Sequence, residues 1–181
     1  LLNNTLIYPL LTMLSDFLSL FFPRICVTCD NALIKGEHLI CLSCDYKMAK
    51  ADLSLSKDGF LAAKFFGRLH VEHVWAYYLF NKHARIQALL HKMKYHNMPE
   101  LGELVGEKLG AALNHLNPEL AIDVIVPVPL HKSRLRRRGY NQSDYFARGL
   151  SKCLHCDIAT DIVTRTKDTE SQTRKSRVQR W

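Results

Sequence analysis

The spacing of apolar residues alternates between strand and helix patterns along most of the chain. Residues 122–128 form a short β-branched run, whereas apolar positions recur every three or four residues in 99–116. Such alternation is typical of an α/β fold in which helices cover a mostly parallel sheet. In chain order, the predicted elements are a strand at 74–80, helices at 86–96 and 99–116, a strand at 122–126, a basic loop at 131–139, a helix at 142–153 and a strand at 162–165.

The run at 122–128 indicates where a ligand would bind. Its apolar residues predict a strand covered on both faces, and Pro127 and Pro129 lack the backbone donor that a central strand needs. The strand should therefore end near Val126, and the basic residues that follow would lie at the carboxyl end of the sheet. In open α/β sheets, ligands bind at this edge.

The loop after this strand carries candidate groups for binding an anion. Five basic residues precede Gly139, which suits a turn, and Asn141, which is a good N-cap for the next helix. Guanidinium groups beside the N–H groups of a helix start suit phosphate, although a solvated basic turn is the alternative. The candidate anion-binding residues are Arg137, Arg138, Gly139, Asn141 and Gln142.

The first 22 residues are rich in apolar side chains that fall on one helical face. Leu10, Leu14 and Phe21 belong to that face, and Pro23 would end the helix. A signal peptide is not predicted, because a basic start and a small-residue cleavage site are missing. We interpret residues 1–22 as an amphipathic docking helix. The alternative is a helix that contacts a membrane peripherally or spans it, although no transmembrane span is expected.

The six cysteines occur as three Cys-x-x-Cys pairs, and the first two pairs predict a metal site. Eleven residues separate these two pairs, so four thiolates can converge on Zn²⁺ in a closed structural site. Residues 23–50 are therefore predicted to form a small zinc-finger-like module, followed by a connector at 51–72. A redox pair or free core cysteines are the alternatives. The predicted zinc ligands are Cys26, Cys29, Cys41 and Cys44.

The third pair, Cys153 and Cys156, follows a predicted helix end and has no partner pair. We interpret both as buried or incidental thiols, with a second metal site as the alternative. Paired thiols without a disulfide framework indicate a reducing cytoplasm.

The net positive charge of the chain comes from its last third. The 181 residues carry a net charge of +8, and a hydrophobic content of 48% is ample for a packed core. Residues 1–130 hold 12 basic and 12 acidic residues, whereas residues 131–181 hold 13 and 5. This asymmetry favours a polyanionic ligand, either a sugar phosphate or a nucleic-acid backbone.

Two short motifs flank the basic loop, Pro127-Val128-Pro129-Leu130-His131 and Arg138-Gly139-Tyr140-Asn141-Gln142. Both resemble the signature of the ComF/GntX family of phosphoribosyltransferase-like proteins, residue by residue. The resemblance covers about residues 17–181 and implies a type I phosphoribosyltransferase-like domain at 73–181 after the zinc finger. It also implies phosphoribosyl pyrophosphate as a ligand, with its diphosphate held by Arg137, Arg138 and the backbone of 139–142.

The polar, basic stretch at 164–181 contains almost no apolar side chain. By composition alone it is either a mobile loop or a solvated tail. Its pattern resembles the family's mobile lid, which closes over the diphosphate and excludes water from a reactive sugar cation. The lid residues implied by this resemblance are Arg165, Lys167, Gln172, Lys175 and Arg180.

One element of the family is missing from the sequence. There is no pair of adjacent acids and no Thr-Thr-Gly loop, which hold Mg²⁺, the ribose hydroxyls and the 5′-phosphate in the family. We therefore expect a C-terminally truncated, inactive chain, with Mg²⁺ and phosphoribosyl pyrophosphate bound well only by the full-length protein.

Three functions remain at this stage. The first is a ComF-type phosphoribosyltransferase, and the family resemblance links it to DNA uptake in natural competence, with other competence proteins as partners. The second is a non-catalytic factor that binds single-stranded DNA with the basic edge and the zinc module. A purely structural adaptor is the third, and it leaves the clustered arginines unexplained.

Overall fold

The structure is a computed structural model that describes residues 21–57, 59–80 and 85–169. Two short 3₁₀ turns, Leu53–Leu55 and Ala62–Lys64, follow the first helix. In chain order, the helices and strands are α1 (Leu42–Lys47), α2 (Arg85–Tyr95), α3 (Glu100–Leu116), β1 (Val124–Ile125), α4 (Lys132–Arg138), α5 (Gln142–Leu154) and β2 (Asp157–Ile158). The described residues fall into two compact units, the first from 21–51, 78–80 and 85–90, and the second from 52–57, 59–77 and 91–169.

The first unit is built from short turns and α1. Isolated antiparallel bridges join Ile25 to Ala32 and His38 to Ile40. Cys26 and Cys44 are 0% and 2% exposed and share the interior with a few apolar side chains, among them Ile40 and Leu89. A unit this small is commonly stabilised by a cross-link or a metal.

The second unit contains two helices that touch backbone to backbone. A Cβ atom added to Gly106 of α3 would lie 2.2 Å from the carbonyl oxygen of Phe146, and one added to Gly149 of α5 would lie 2.0 Å from that of Glu103. Only hydrogen fits at this crossing unless the helices move apart. The core beside it consists of buried Leu53, Leu109 and Leu113, against which Trp75, Tyr77, Phe146 and Leu150 pack.

The second unit also contains a parallel pair of strands. Val124 pairs with Asp157 and Ile125 with Ile158, so the parallel arrangement is as predicted and the ladder ends before Pro127. The prediction of a strand covered on both faces is wrong, because Val124 is 41% exposed. Within the described ranges, β1 has one partner strand, which leaves part of its surface uncovered.

The predicted strand at 162–165 is also wrong, since the pairing residues lie at Asp157–Ile158. The reason is the abrupt end of α5. His155 adopts a left-handed φ of 54°, and the hydroxyl of Ser151 donates to the carbonyl of Cys156 at 2.6 Å. The chain therefore leaves the helix and enters the strand within two residues.

The predicted strand at 74–80 is reduced to one bridge, between Tyr78 and Lys50. By contrast, the helices predicted at 86–96, 99–116 and 142–153 are confirmed within about two residues, as expected for apolar stripes at helical spacing.

The predicted basic loop at 131–139 is instead the seven-residue helix α4. The ring of His131 caps its start by accepting from the N–H of Ser133 at 3.3 Å. Lys, Arg and Leu are good helix formers, so five basic residues do not prevent a helix here. Gly139 then ends the helix with a left-handed φ of 85°, a conformation that glycine adopts without strain.

The predicted amphipathic helix at 1–22 lies almost wholly outside the described residues. Within the part of the chain that is described, every helix is too short or too polar to cross a lipid bilayer. The boundaries at 23–50, 51–72 and 73–181, and the phosphoribosyltransferase-like fold of the last range, stay predictions.

Candidate metal centre and anion-binding pocket

The four cysteines of the first two pairs come together in the first unit. The sulfur atoms of Cys26, Cys29, Cys41 and Cys44 all lie within 4.8 Å of one another, and those of Cys29 and Cys41 are 3.8 Å apart. In a tetrahedral site with Zn–S bonds of about 2.3 Å, neighbouring sulfurs are about 3.8 Å apart. The cluster could therefore hold a metal ion, and its donor set is consistent with the predicted structural zinc.

Each of these Cys-x-x-Cys pairs is a turn closed by backbone hydrogen bonds. In the first, the N–H of Asp30 donates to the carbonyl of Cys26 at 2.9 Å. In the second, the N–H groups of Cys44 and Asp45 donate to the carbonyl of Cys41, both at 3.0 Å. The N–H of Cys41 also donates to the sulfur of Cys26 at 3.3 Å, which joins the two turns.

Two side chains outside the pairs support the cluster, and no motif in the sequence marks them for this role. The carboxylate of Glu37 accepts from the N–H groups of Ile34 at 3.0 Å and Leu42 at 2.8 Å, which closes the connection between the turns. Nε of Arg85 donates to the sulfur of Cys44 at 3.2 Å. A guanidinium at this distance favours the thiolate form, which is the form that binds metal.

The thiols differ in their tendency to ionise. Burial raises the pKa of Cys26, but hydrogen bonds from Thr28 and from the backbone outweigh it and lower the pKa to about 6. For Cys29, a backbone donor at Asn31 acts to lower the pKa, but neighbouring thiols and burial raise it to about 12. A divalent cation must therefore displace protons from part of the cluster when it binds.

The third Cys-x-x-Cys pair lies in the second unit. The thiol of Cys153 donates to the carbonyl of Glu107 at 3.4 Å, and burial raises the pKa of Cys156. In the described ranges, these two residues belong to no group of potential metal ligands. Both residues are half-buried, and the interpretation as buried or incidental thiols stays a prediction.

A basic pocket lies in the second unit, where the end of α2 meets α4. Its volume is about 570 Å³, and its lining consists of Lys94, Tyr95, Asn97, Arg134, Arg137 and Arg138. Among the described residues, four cations and no acid line this cavity. Arg137 is exposed and has no ion pair or hydrogen bond with any other described residue.

The turn between α4 and α5 attaches this basic helix to the end of α2. The hydroxyl of Tyr140, a buried residue, donates to the carbonyl oxygen of Met93. The amide of Gln142 donates to the same oxygen at 3.4 Å. Since Lys94 follows Met93 directly, these bonds bring its ammonium to the arginines of α4.

Asn141 joins the end of the strand to the start of α5. Its amide donates to the carbonyl of Val128 at 3.0 Å and to the carboxylate of Asp144 at 2.6 Å. Its side-chain oxygen accepts from the N–H of Ser143 at 3.3 Å, so the predicted N-cap is confirmed. With all these bonds made, the Asn141 side chain positions the turn and has no free donor for a ligand.

The predicted anion-binding residues thus have different surroundings. Arg137 and Arg138 line the pocket, and Gly139 forms the turn that ends α4. Arg138 also donates to the side-chain oxygen of Gln142, so both side chains are partly occupied within the protein. The role of these five residues in binding stays a prediction.

Four pocket residues, Lys94, Tyr95, Asn97 and Arg134, were not among the predicted site residues. Lys94 and Asn97 lie almost 40 residues before the arginines, and only the packing of α2 against the Tyr140 turn brings them together. The pair Lys94-Tyr95 at the end of α2 was the sequence feature that could have identified Lys94 as a site residue. Arg134 belongs to the basic stretch, but only the helical form of α4 places it beside Arg137 and Arg138.

Two of the predicted lid residues are described. Nη2 of Arg165 donates to the hydroxyl of Thr169 at 2.5 Å, and Lys167 is exposed. The other three, Gln172, Lys175 and Arg180, lie outside the described residues.

Part of the chain is similar to proteins whose names refer to DNA use and competence. DNA utilization protein YhgH of Escherichia coli strain K12 is 34% identical over 90 residues, which are 48% of this chain and 40% of that protein. The protein of the same name from Shigella flexneri is 33% identical with the same coverage. Competence protein F of Haemophilus influenzae is 44% identical over 50 residues, which are 28% of this chain and 22% of that protein.

These matches thus span less than half the length of each relative. No protein-family model matches the chain. No solved structure matches it either.

Proposed function

Because these similarities relate the chain to the ComF family, we propose that it acts in the handling of DNA by binding a phosphate-rich ligand in the basic pocket. The observation that carries the proposal is the gathering of Lys94, Arg134, Arg137 and Arg138 around one cavity whose described lining contains no acid. Guanidinium forks pair with two phosphate oxygens at once, and like charges kept this close favour a polyanion.

We propose a phosphoribosyltransferase-like site as the finer form of this function, with phosphoribosyl pyrophosphate as the ligand. Arg137 and Arg138 would hold its diphosphate, and fixed donors around a departing diphosphate stabilise the charge that grows in the transition state. The family's Mg²⁺ is held by adjacent acids, which this sequence lacks. The proposal therefore covers the binding of the diphosphate and includes no metal-dependent step.

A structural role for zinc completes the proposal. A site with four thiolate ligands has no open position for a substrate, so Zn²⁺ would stabilise the first unit and take no part in chemistry. The support for this assignment is the sulfur cluster with edges near those of a tetrahedral zinc site.

Binding of single-stranded DNA is the second candidate function, and one observation favours it. The ring of Tyr95 lines the basic pocket and is 66% exposed. A base can stack on an exposed ring while the neighbouring cations contact its phosphates, a combination typical of single-strand binding. This candidate uses the same cations but requires no reaction.

The two neighbours Arg136 and Arg137 provide a matched test. Both are exposed residues on α4, but only Arg137 lines the pocket. We expect Arg137→Gln to weaken the binding of pyrophosphate and of oligothymidylate by about tenfold or more, because a charge-assisted hydrogen bond contributes about 1.5–3 kcal/mol. Arg136→Gln should change either affinity by about twofold at most. Isothermal titration at low salt measures both.

A third variant separates the two candidates. Tyr95→Ala should weaken oligothymidylate binding and leave pyrophosphate binding unchanged if bases stack on that ring. Equal affinities of Arg137→Gln and Arg136→Gln for both probes would contradict the proposed use of the pocket.

A further inference from the structure

A carboxylate of the protein lies against the first turn of α4. Oδ1 of Asp168 is 3.2 Å from Nε of Arg134, and Oδ2 is 3.4 Å from Nδ1 of His131. The hydroxyl of Ser133 donates to the same Oδ2, and Arg134 also donates to the carbonyl oxygen of Thr169. One carboxylate thus accepts from a hydroxyl and a guanidinium, and the His131 ring, whose Nδ1 accepts from the N–H of Ser133, lies beside it.

We propose that Ser133 and Arg134 form an oxyanion subsite, beside the ring of His131, that Asp168 fills until a phosphate group displaces it. The proposal rests on the proposed function and extends it. The ligand class is a polyanion with neighbouring phosphate groups, one held by Arg137 in the basic pocket and the next in the subsite. The oxygens of Asp168 stand in for two oxygens of that second phosphate.

The subsite adjoins the pocket because the two share a residue. Arg134 lines the basic cavity and also binds Asp168. A planar guanidinium has five N–H donors, so it can serve ligand groups on two sides. A diphosphate or two successive nucleotide phosphates could therefore reach from Arg137 to the subsite.

The exposure of the partners indicates which of them can leave. The side chains of His131 and Arg134 are 24% and 23% exposed, whereas that of Asp168 is 44% exposed. The guanidinium of Arg134 and the neighbouring ring of His131 are thus held by the body of the unit, and the carboxylate approaches them from the solvent side. Such exposed ion pairs are weak and screened by salt, so a phosphate dianion can compete with Asp168.

Displacement would release a segment as well as a side chain. Within 165–169, Arg165 donates to the hydroxyl of Thr169, and Thr169 is held to α4 through Arg134. When the phosphate replaces the carboxylate, both ties to α4 are lost and this segment is freed. Asp168 therefore competes with the ligand for the subsite, so ligand binding and movement of the 165–169 segment are coupled.

The test compares Asp168→Asn with Asp161→Asn, because both remove one negative charge but Asp161 has no contact with α4 among the described residues. At low salt, Asp168→Asn should bind inorganic pyrophosphate about three- to fivefold more tightly than the wild-type chain, the gain expected from removing an exposed ion pair. Asp161→Asn should match the wild type within about twofold. Adding Ser133→Ala to Asp168→Asn should remove the gain.

Limited proteolysis gives a second readout, which does not depend on the affinity for pyrophosphate. Trypsin should cleave after Lys167 faster in Asp168→Asn than in Asp161→Asn, and pyrophosphate should accelerate this cleavage in the wild type and in Asp161→Asn but not in Asp168→Asn. Mass spectrometry of the fragments gives the rates. Equal affinities and equal cleavage rates for the two variants would overturn the subsite while leaving the Arg137 result intact. If neither the wild type nor Asp168→Asn binds pyrophosphate, the subsite and the proposed function both fail.

Discussion

The cysteine cluster and the basic pocket collect functional groups in opposite ways. The four cysteines lie within 19 residues of sequence, and backbone turns bring their sulfurs within 4.8 Å of one another. The pocket combines Lys94 with arginines about 40 residues later, through the packing of separate helices. The first site therefore depends on local turns, and the second depends on tertiary structure.

This difference separates a closed site from an open one. Cys26, Cys41 and Cys44 are buried, and a metal bound by four thiolates has no vacant position. In contrast, Arg137 has no partner among the described residues and faces a cavity of about 570 Å³. A closed cluster can stabilise the fold, whereas an open group of cations can exchange ligands.

The largest expected effect is the loss of metal from the cysteine cluster. The purified chain should contain about one zinc ion, and Cys41→Ser should contain none, because three thiolates no longer complete the tetrahedron. Since structural zinc contributes about 10–16 kcal/mol of folding free energy in small fingers, the first unit should unfold. Elemental analysis gives the metal content, and hydrogen exchange at residues 26–44 reports the unfolding.

The chain contains its own control for this prediction. Cys153→Ser removes a cysteine that lies in no described group of metal ligands, so zinc content and exchange should be unchanged. Equal zinc loss in both variants would break the comparison by placing the metal elsewhere.

The next effect concerns the helix crossing that supports the pocket. Gly149→Ala would place a methyl group 2.0 Å from the carbonyl oxygen of Glu103, so the two helices must separate. We expect a loss of about 1–3 kcal/mol in the free energy of unfolding, the cost of overpacking a tight site. At Gly102 the nearest atom would be 3.3 Å away, and Gly102→Ala should be nearly neutral because alanine favours the helix.

Urea unfolding of the second unit measures both variants. Zinc content should be the same in both variants, because the cysteine cluster is formed by local turns and does not depend on this helix crossing. A smaller loss for Gly149→Ala than for Gly102→Ala would contradict the close contact at the crossing.

A smaller effect is expected at the turn that positions the arginines. Asn141→Ala removes the N-cap of α5 and the bond to the carbonyl of Val128, at a cost of about 1–2 kcal/mol. The control is Asn114→Ala, whose exposed side chain makes one long bond of 3.4 Å and should contribute little. Thermal unfolding compares the two, and equal stabilities would show that the Asn141 contacts are dispensable.

The smallest effect belongs to the exposed ion pairs of Lys152. Its ammonium donates to the carboxylates of Glu103 at 2.5 Å and Glu107 at 2.8 Å, and these contacts raise the pKa of Lys152 above its ordinary value. Its contribution is therefore complete below the unfolded pKa of about 10.4 and is lost as the pH rises through the higher folded pKa. Lys152→Met should change stability only slightly at pH 7, and less at high salt. Thermal unfolding at two salt concentrations tests this.

The sequence predicted local features of this protein better than distant ones. The cysteine cluster and the cap at Asn141 depend on residues close in sequence, and both are present in the structure. The helices follow from apolar stripes. In contrast, nothing in the sequence near Arg137 identifies Lys94 and Asn97 as its neighbours, because a tertiary contact between Tyr140 and Met93 joins them.

The errors of prediction have physical causes as well. A loop was predicted at 131–139 because this stretch follows the end of a strand, but the His131 cap and good intrinsic helix formers make it the helix α4. The strand after α5 was placed too late because the left-handed His155 was not anticipated. An apolar run also indicates burial only when enough partner strands cover it, and Val124 is exposed.

The central claim is that the cations of the pocket act together on one ligand. A crystal structure of this chain soaked with pyrophosphate tests it most directly. The predicted result is a diphosphate between Arg137 and Lys94, within hydrogen-bond distance of both. An empty pocket, or a diphosphate bound only at other surface cations, would contradict the account.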